Sequence, residues 1–153
     1  MAIKLGVDAV TAAVEDELSQ KKLAKALQNT TGATDDQIAA TENYIKATQL
    51  RYGVSDVKLR SSLGNLVRYT KNSTEAQKLN NLAIDISAAT GKDLEGVSIA
   101  LGKAYDGNTA ALGKLGVGLS SAELKAMTFT EVQTKLSDLF GGAAAANAET
   151  FAG

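Results

Sequence analysis

The chain contains no proline but fourteen glycines among its 153 residues, and this pairing constrains its fold more than any other feature. Proline punctuates loops and strands and breaks helix interiors, whereas glycine supplies the left-handed residue at which many helices end. The pairing predicts a series of helices joined by short turns. Because only 5% of the residues are aromatic and tryptophan is absent, we expect a core of Leu, Val, Ile and Ala between closely packed helices.

The overall composition is typical of one globular unit. Apolar residues make up 44% and charged residues 22% of the chain, which is close to the average for folded domains. No run approaches the roughly 18 apolar residues of a membrane-spanning helix. Residues 1–7 hold one lysine and no apolar block long enough for a signal peptide, so we expect the chain to be made and folded in a cytoplasm.

Cysteine and histidine are both absent, which removes thiol nucleophiles, disulfides, most zinc sites and the usual proton-transfer side chain. Sixteen basic and seventeen acidic residues leave a net charge of −1, too little to hold a polyanion by counterion release. We therefore expect a protein that is not an enzyme, with no cofactor, no metal and no small-molecule substrate. Nucleic acid is not expected as a specific partner.

Apolar spacing predicts an all-α, multi-helix bundle of about seven to nine short helices without a sheet. An amphipathic helix is predicted over residues 8–28, where apolar side chains recur every three or four positions: Val10, Val14, Leu18, Leu23, Ala26 and Leu27. A second clear pattern follows Ser55 and Asp56. Its apolar face is predicted to comprise Leu59, Leu63, Leu66, Val67 and Thr70.

Capping signals predict where several helices begin and end. The Ser/Thr-x-x-Glu/Gln capping box occurs three times, as Thr34 with Gln37, Ser120 with Glu123, and Thr128 with Glu131. Gly53 and Gly91 are expected to end helices, and Ser73 or Thr74 to begin one. The turn residues 106–108 predict a short helix after them, through Leu112 and Leu115, and the alanines at 143–146 predict a last helix.

The one marked charge asymmetry lies in residues 51–78. Six basic residues stand there against two acidic ones, Asp56 and Glu75. One interpretation is a solvated helix face. The other is an interaction patch for an acidic surface or nucleic acid, for which the candidates are Arg60, Arg68 and Lys71, predicted to lie opposite the apolar face of their helix.

A series of short motifs carries a family resemblance from about residue 24 to residue 153. In order they are NTTGATDDQIA (29–39), LVR (66–68), AIDIS (83–87), TGKDL (90–94), LGKAY (101–105), GN (107–108), ALGKLGV (111–117) and FGGAAAA (140–146). In content and order they resemble a portion of the tail tape measure proteins of siphophages and prophages. Residues 24–153 are therefore expected to form a tape-measure-like helical domain. Residues 1–23 are expected to be an N-terminal helix, or a boundary segment of an excised piece.

The resemblance implies a structural virion protein that occupies the lumen of the tail tube, contributes to tail assembly and tail length, and is released during DNA ejection. It implies tail tube, tail assembly chaperone and tail-tip proteins as partners, with self-association as a further option. Two other functions stay open. One is a free-standing helical adaptor that binds a partner helix in an apolar groove. The other is an enzyme that uses carboxylates such as Asp85 or Glu123.

Overall fold

In a computed structural model of the protein, the backbone is described for residues 2–152 and the side chains for residues 11 and 13–149. Over this backbone the chain forms nine α-helices and no strand, which confirms the predicted all-α fold. The helices are α1 (Ala2–Thr31), α2 (Asp35–Tyr52), α3 (Asp56–Thr70), α4 (Ser73–Thr90), α5 (Leu94–Tyr105), α6 (Ala110–Lys114), α7 (Ser121–Lys125), α8 (Phe129–Phe140) and α9 (Ala143–Ala152).

Helix α3 is the centre of the bundle and packs against α1, α2, α4 and α5. Its predicted apolar face is buried, with Leu59, Leu63, Leu66 and Val67 each at most 1% exposed. One continuous core surrounds it and reaches from α1 to α9. The largest side chains buried in that core are Leu27, Ile45, Leu59, Leu63, Leu66, Val67, Leu79, Ile86, Leu101, Leu112, Leu124 and Leu136. Aliphatic side chains thus build the core, as the composition predicts.

Local capping chemistry explains most helix boundaries. All three predicted capping boxes are formed, each with both of its hydrogen bonds, and they begin α2, α7 and α8. Gly53 and Gly91 end α2 and α4 in the left-handed conformation, as expected, with φ of 70° and 73°. The predicted start of α4 is wrong, because Asn72 is the N-cap and its Oδ1 accepts from the backbone N–H of Glu75 at 3.0 Å.

Helix α1 is longer than the predicted 8–28, with 30 residues that end at Thr31, directly before the left-handed Gly32. Among its described side chains, those integrated into the core lie in its C-terminal part, where Leu23 and Leu27 are 2% and 1% exposed. Val14 and Leu18, although part of the same apolar pattern, are 57% and 50% exposed. Val10 was also predicted to lie on the apolar face of this helix, but its side chain is not among those that the structure describes.

Helix α9 receives its N-terminal cap from a distant part of the chain. The carboxylate of Asp85 in α4 accepts hydrogen bonds from the backbone N–H of Gly142 at 3.3 Å and of Ala144 at 3.0 Å. Asn147 donates from Nδ2 to the carbonyl of Ala88 at 3.1 Å. Because a carboxylate also stabilises the positive end of a helix dipole, Asp85 fixes α9 against α4 at its first turn.

Candidate functional site

The predicted basic patch of Arg60, Arg68 and Lys71 does not exist as one surface. Arg68 and Lys71 are exposed, but Arg60 is only 3% exposed, so its prediction as a surface residue opposite the apolar face is wrong. Arg60 precedes Val67 by seven residues, almost two full turns, and so shares the buried side of α3. That spacing is the sequence signal that locates Arg60 correctly.

The guanidinium of Arg60 forms the most heavily connected polar site among the described side chains. Its Nη1 donates to Asp16 Oδ1 at 2.6 Å and to Ser19 Oγ at 2.8 Å, both in α1. Its Nε and Nη2 meet the Glu42 carboxylate of α2 at 3.0 and 2.9 Å. Asp56, one turn earlier in α3, completes the cluster at 3.3 Å from Nη1. One side chain thereby joins three helices.

The pKa values of the two aspartates of this cluster are shifted in opposite directions. The hydrogen bond with Asp56, followed by that with Arg60, lowers the pKa of Asp16 below its ordinary value. The same hydrogen bond with Asp16, followed by burial, raises the pKa of Asp56. Burial opposes the charge of Arg60, yet the hydrogen bonds that it donates to Glu42 and Asp16 raise its pKa overall. The guanidinium therefore stays charged, and of the two aspartates Asp56 is the one whose neutral form is favoured.

This arrangement serves structure and leaves little capacity for chemistry. A guanidinium has five N–H donors and no acceptor, and here its nitrogens Nε, Nη1 and Nη2 all contact side chains of the same chain. A ligand would have to displace one of those carboxylates. The sequence reasoning linked none of these carboxylates to Arg60. Asp16 and Glu42 lie 44 and 18 residues away from it, and Asp56, only four residues away, was interpreted as a residue at the start of the helix.

A groove runs along the surface between α1 and α3, above this cluster. It encloses about 410 Å³ and is lined by Glu15, Leu18 and Lys22 of α1 and by Val57 and Arg68 of α3, among others. The two helices run in the same direction, because Asp16 and Ser19 meet Arg60 while Leu23 lies beside Gly64. The exposed Arg68 of the predicted patch thus belongs to this groove.

A second cavity, of about 660 Å³, lies where the α2–α3 and α4–α5 turns approach α9. Its apolar lining includes Tyr52, Val54 and Leu94, and Lys58 and Lys92 also line it. The residues that line it hold no pair of carboxylates, because Asp93 is the one carboxylate among them.

The two carboxylates weighed as catalytic candidates both have structural partners. Asp85 caps α9, as described above. Glu123 accepts from the backbone N–H of Ser120 at 3.4 Å within the capping box of α7. They lie in different helices with different partners, so the structure does not bring them together.

The described residues contain neither a cluster of metal ligands nor a helix that could span a membrane. No group of three carboxylates or other ligating side chains is placed to hold a metal ion. None of the helices combines the length and the apolar character that crossing a membrane requires. The described part of the chain is thus a helical bundle with an internal ion cluster, and its two larger surface cavities are those described above.

Comparison with known proteins identified no relative of this chain. Neither the protein-family models, nor the curated proteins, nor the solved structures with which the chain was compared contain a match. The class that the fold defines is therefore an all-helical bundle, and arguments about function depend on the sequence motifs and on the geometry above.

Proposed function

We propose that this chain is a helical segment of a siphophage tail tape measure protein, a structural virion component that acts in tail assembly and tail length determination. The observation that carries the proposal is the ordered series of motifs that resembles that family. Three of these motifs coincide with junctions between helices. The motif at 29–39 contains the cap of α2, that at 90–94 joins α4 to α5, and that at 140–146 joins α8 to α9.

The fold supports a role as a compact module within a longer tape measure protein. A length ruler requires a contour proportional to residue number, and a continuous helix of 153 residues would extend about 230 Å. Here that contour is divided among nine packed helices over residues 2–152. The segment therefore acts as a folded body that contacts tail tube, chaperone or tail-tip proteins, and it contributes less to length than its residue number implies.

The same fold is compatible with release from the tail during DNA ejection. A domain of this size is stable by about 5 to 15 kcal/mol, and the chain has no cysteine that could lock it with disulfides. Binding of the opened chain along a tube wall can offset a stability of that size. The bundle can thus open into a thread that passes through a narrow channel.

Particle composition tests the proposal. Tails are purified from the phage or induced prophage that encodes the chain, and their peptides are identified by mass spectrometry before and after DNA ejection. We expect peptides from residues 24–153 in intact particles and their loss after ejection. Particles that lack these peptides at both stages would exclude the virion role.

A free-standing helical adaptor is the second candidate, and the exposed groove between α1 and α3 favours it. Gene context separates the two functions. A long reading frame beside tail-tube, assembly-chaperone and baseplate genes supports the tape measure protein, whereas a short isolated gene supports the adaptor. The adaptor also predicts that the purified chain captures an amphipathic helical peptide in this groove.

A further inference from the structure

The first apolar residues of α1 with described side chains lie uncovered beside α3. Val14 and Leu18 are 57% and 50% exposed, and Val57 at the start of α3 is 36% exposed. Leu18 and Val57 line the 410 Å³ groove, and Val14 lies one helical turn before Leu18. Apolar side chains at helical spacing on a surface are typical of a face that binds another helix.

Charge is ordered along this groove. On α1, Glu15 lies before Leu18 and Lys22 after it, and all three line the groove because they are three and four residues apart. Arg68 of α3 lines the groove with Lys22. Among the described side chains, Glu15 and Lys22 belong to none of the ion pairs within the chain. The groove thus has an acidic residue on one side of Leu18 and an unpaired basic residue on the other.

We propose that this face is a self-complementary interface, on which a second copy of the chain docks its own α1 in the antiparallel direction. When two copies of α1 are antiparallel and centred between positions 18 and 19, position 15 of each lies opposite position 22 of the other. Leu18 of both copies then meets near the two-fold axis. Glu15 of each copy faces Lys22 and Arg68 of the other, so every charge of this set meets its opposite.

The alternative parallel arrangement opposes like charges. It would place Glu15 against Glu15 and Lys22 against Lys22, which is destabilising. The overall balance of the groove also favours a second copy, because Glu15 and Glu95 are matched by Lys22 and Arg68, while Arg60 is neutralised inside the chain. A two-fold interface requires such a surface, since the same patch must complement itself.

The area of this face limits the expected affinity of the dimer. Stable complexes bury roughly 1,200 to 2,000 Å² in total, and one helix face of two to three turns supplies less. We expect a reversible dimer with a dissociation constant on the order of 10 to 100 µM. This inference is independent of the proposed function, because it depends only on the described surface.

Sedimentation velocity of the full chain, from about 5 to about 500 µM, tests the proposal. The wild-type chain is expected to shift from monomer to dimer over this range. Leu18→Lys is expected to stay monomeric throughout. The matched control is Leu50→Lys, on α2 and away from the groove, where the leucine is 87% exposed; this variant is expected to dimerise as the wild type does.

A charge exchange tests the antiparallel direction. Glu15→Lys and Lys22→Glu are each expected to weaken self-association at least about tenfold, because each variant opposes like charges. Mixing the two variants is expected to restore a dimer of wild-type affinity. A parallel pair would be insensitive to either single exchange and would contradict the proposal. A wild-type chain that stays monomeric at the highest concentration, or equal behaviour of Leu18→Lys and Leu50→Lys, would also overturn it.

Discussion

Arg60 of α3 and Asp16 of α1 are joined by a contact of 2.6 Å between Nη1 and Oδ1, although 44 residues separate them along the chain. This contact joins α1 to α3, the central helix of the bundle. Later in α1, Leu23 and Leu27 are buried. Val14 and Leu18, on either side of Asp16 in the sequence, are 57% and 50% exposed, so Arg60 holds α1 at a point where these described apolar side chains are not covered by the core.

Removal of Arg60 is expected to destabilise the bundle strongly. Arg60→Ala leaves the carboxylates of Asp16, Glu42 and Asp56 without their common counter-ion, and breaking a buried pair in this way costs about 3 kcal/mol or more. Chemical denaturation measures the change in free energy of unfolding. Arg60→Lys should recover only part of it, because an ammonium cannot reproduce the planar contacts to three helices.

The control for this experiment is Arg68→Ala, in the same helix. Arg68 is exposed, and its one hydrogen bond among the described residues is to Asn65, three residues earlier, so its removal should change the free energy of unfolding by no more than about 0.5 kcal/mol. Equal effects of the two substitutions would show that the cluster does not stabilise the fold.

The two aspartates of the cluster should respond to pH in opposite directions. The pKa of Asp16 is lowered from 3.8, so its contribution to stability is present above that pH and is lost as the pH falls further. The pKa of Asp56 is raised from 3.8, so its contribution is present below that pH and is lost as the pH rises through the raised pKa.

Urea midpoints between about pH 3 and 7, around the ordinary aspartate pKa, check this assignment with two variants. Relative to the wild type, Asp16→Asn should become less stable as the pH rises. Asp56→Asn should become relatively more stable, because its amide can donate to Asp16 at every pH as protonated Asp56 does. Changes of the same sign in both variants would contradict the opposite pKa shifts of Asp16 and Asp56.

Asp85 should control the stability of α9. Asp85→Ala removes the carboxylate that accepts from the N–H groups of Gly142 and Ala144, and loss of an N-cap costs about 1 kcal/mol. Hydrogen exchange should therefore quicken about fivefold in residues 144–149 and much less in α3. Asp138→Ala, an exposed carboxylate on α8, should leave exchange in α9 unchanged; equal exchange in the two variants would argue against the cap.

Gly102 is required by the close approach of α5 and α3. A Cβ at this position would overlap the ring of Tyr69, so Gly102→Ala should lower the free energy of unfolding by about 1 to 3 kcal/mol. Gly96→Ala in the same helix meets no atom within 4 Å and should instead stabilise by up to about 1 kcal/mol. Thermal denaturation compares the two, and a stabilised Gly102→Ala would contradict this packing.

Local signals in the sequence were sufficient for most of the fold. The capping boxes at Thr34, Ser120 and Thr128 predicted three helix starts because each box is completed within four residues. The start of α4 was misplaced because Asn72, Ser73 and Thr74 are all good N-caps, and the left-handed Lys71, with φ of 54°, sets which of them is used.

Contacts between distant residues escaped the sequence reasoning. Asp85 was considered as a catalytic carboxylate, although it caps a helix 57 residues later. Tyr44, Asn80 and Ser62 form a polar network inside the bundle, with Asn80 Nδ2 donating to Tyr44 at 3.2 Å, and no local pattern indicates it. The groove between α1 and α3 was missed for the same reason, since only packing shows that Val14 and Leu18 stay uncovered.

Tail length provides the most direct test of the claim that this segment is a folded module of a tape measure protein. A tandem in-frame duplication of residues 24–153 in the parent gene retains one intact copy for assembly, and electron microscopy then measures the tails. A compact second copy should lengthen them by no more than about 45 Å, the length of a helix as long as α1 with its 30 residues. An increase near 195 Å, the contour of 130 further helical residues at about 1.5 Å each, would contradict the account.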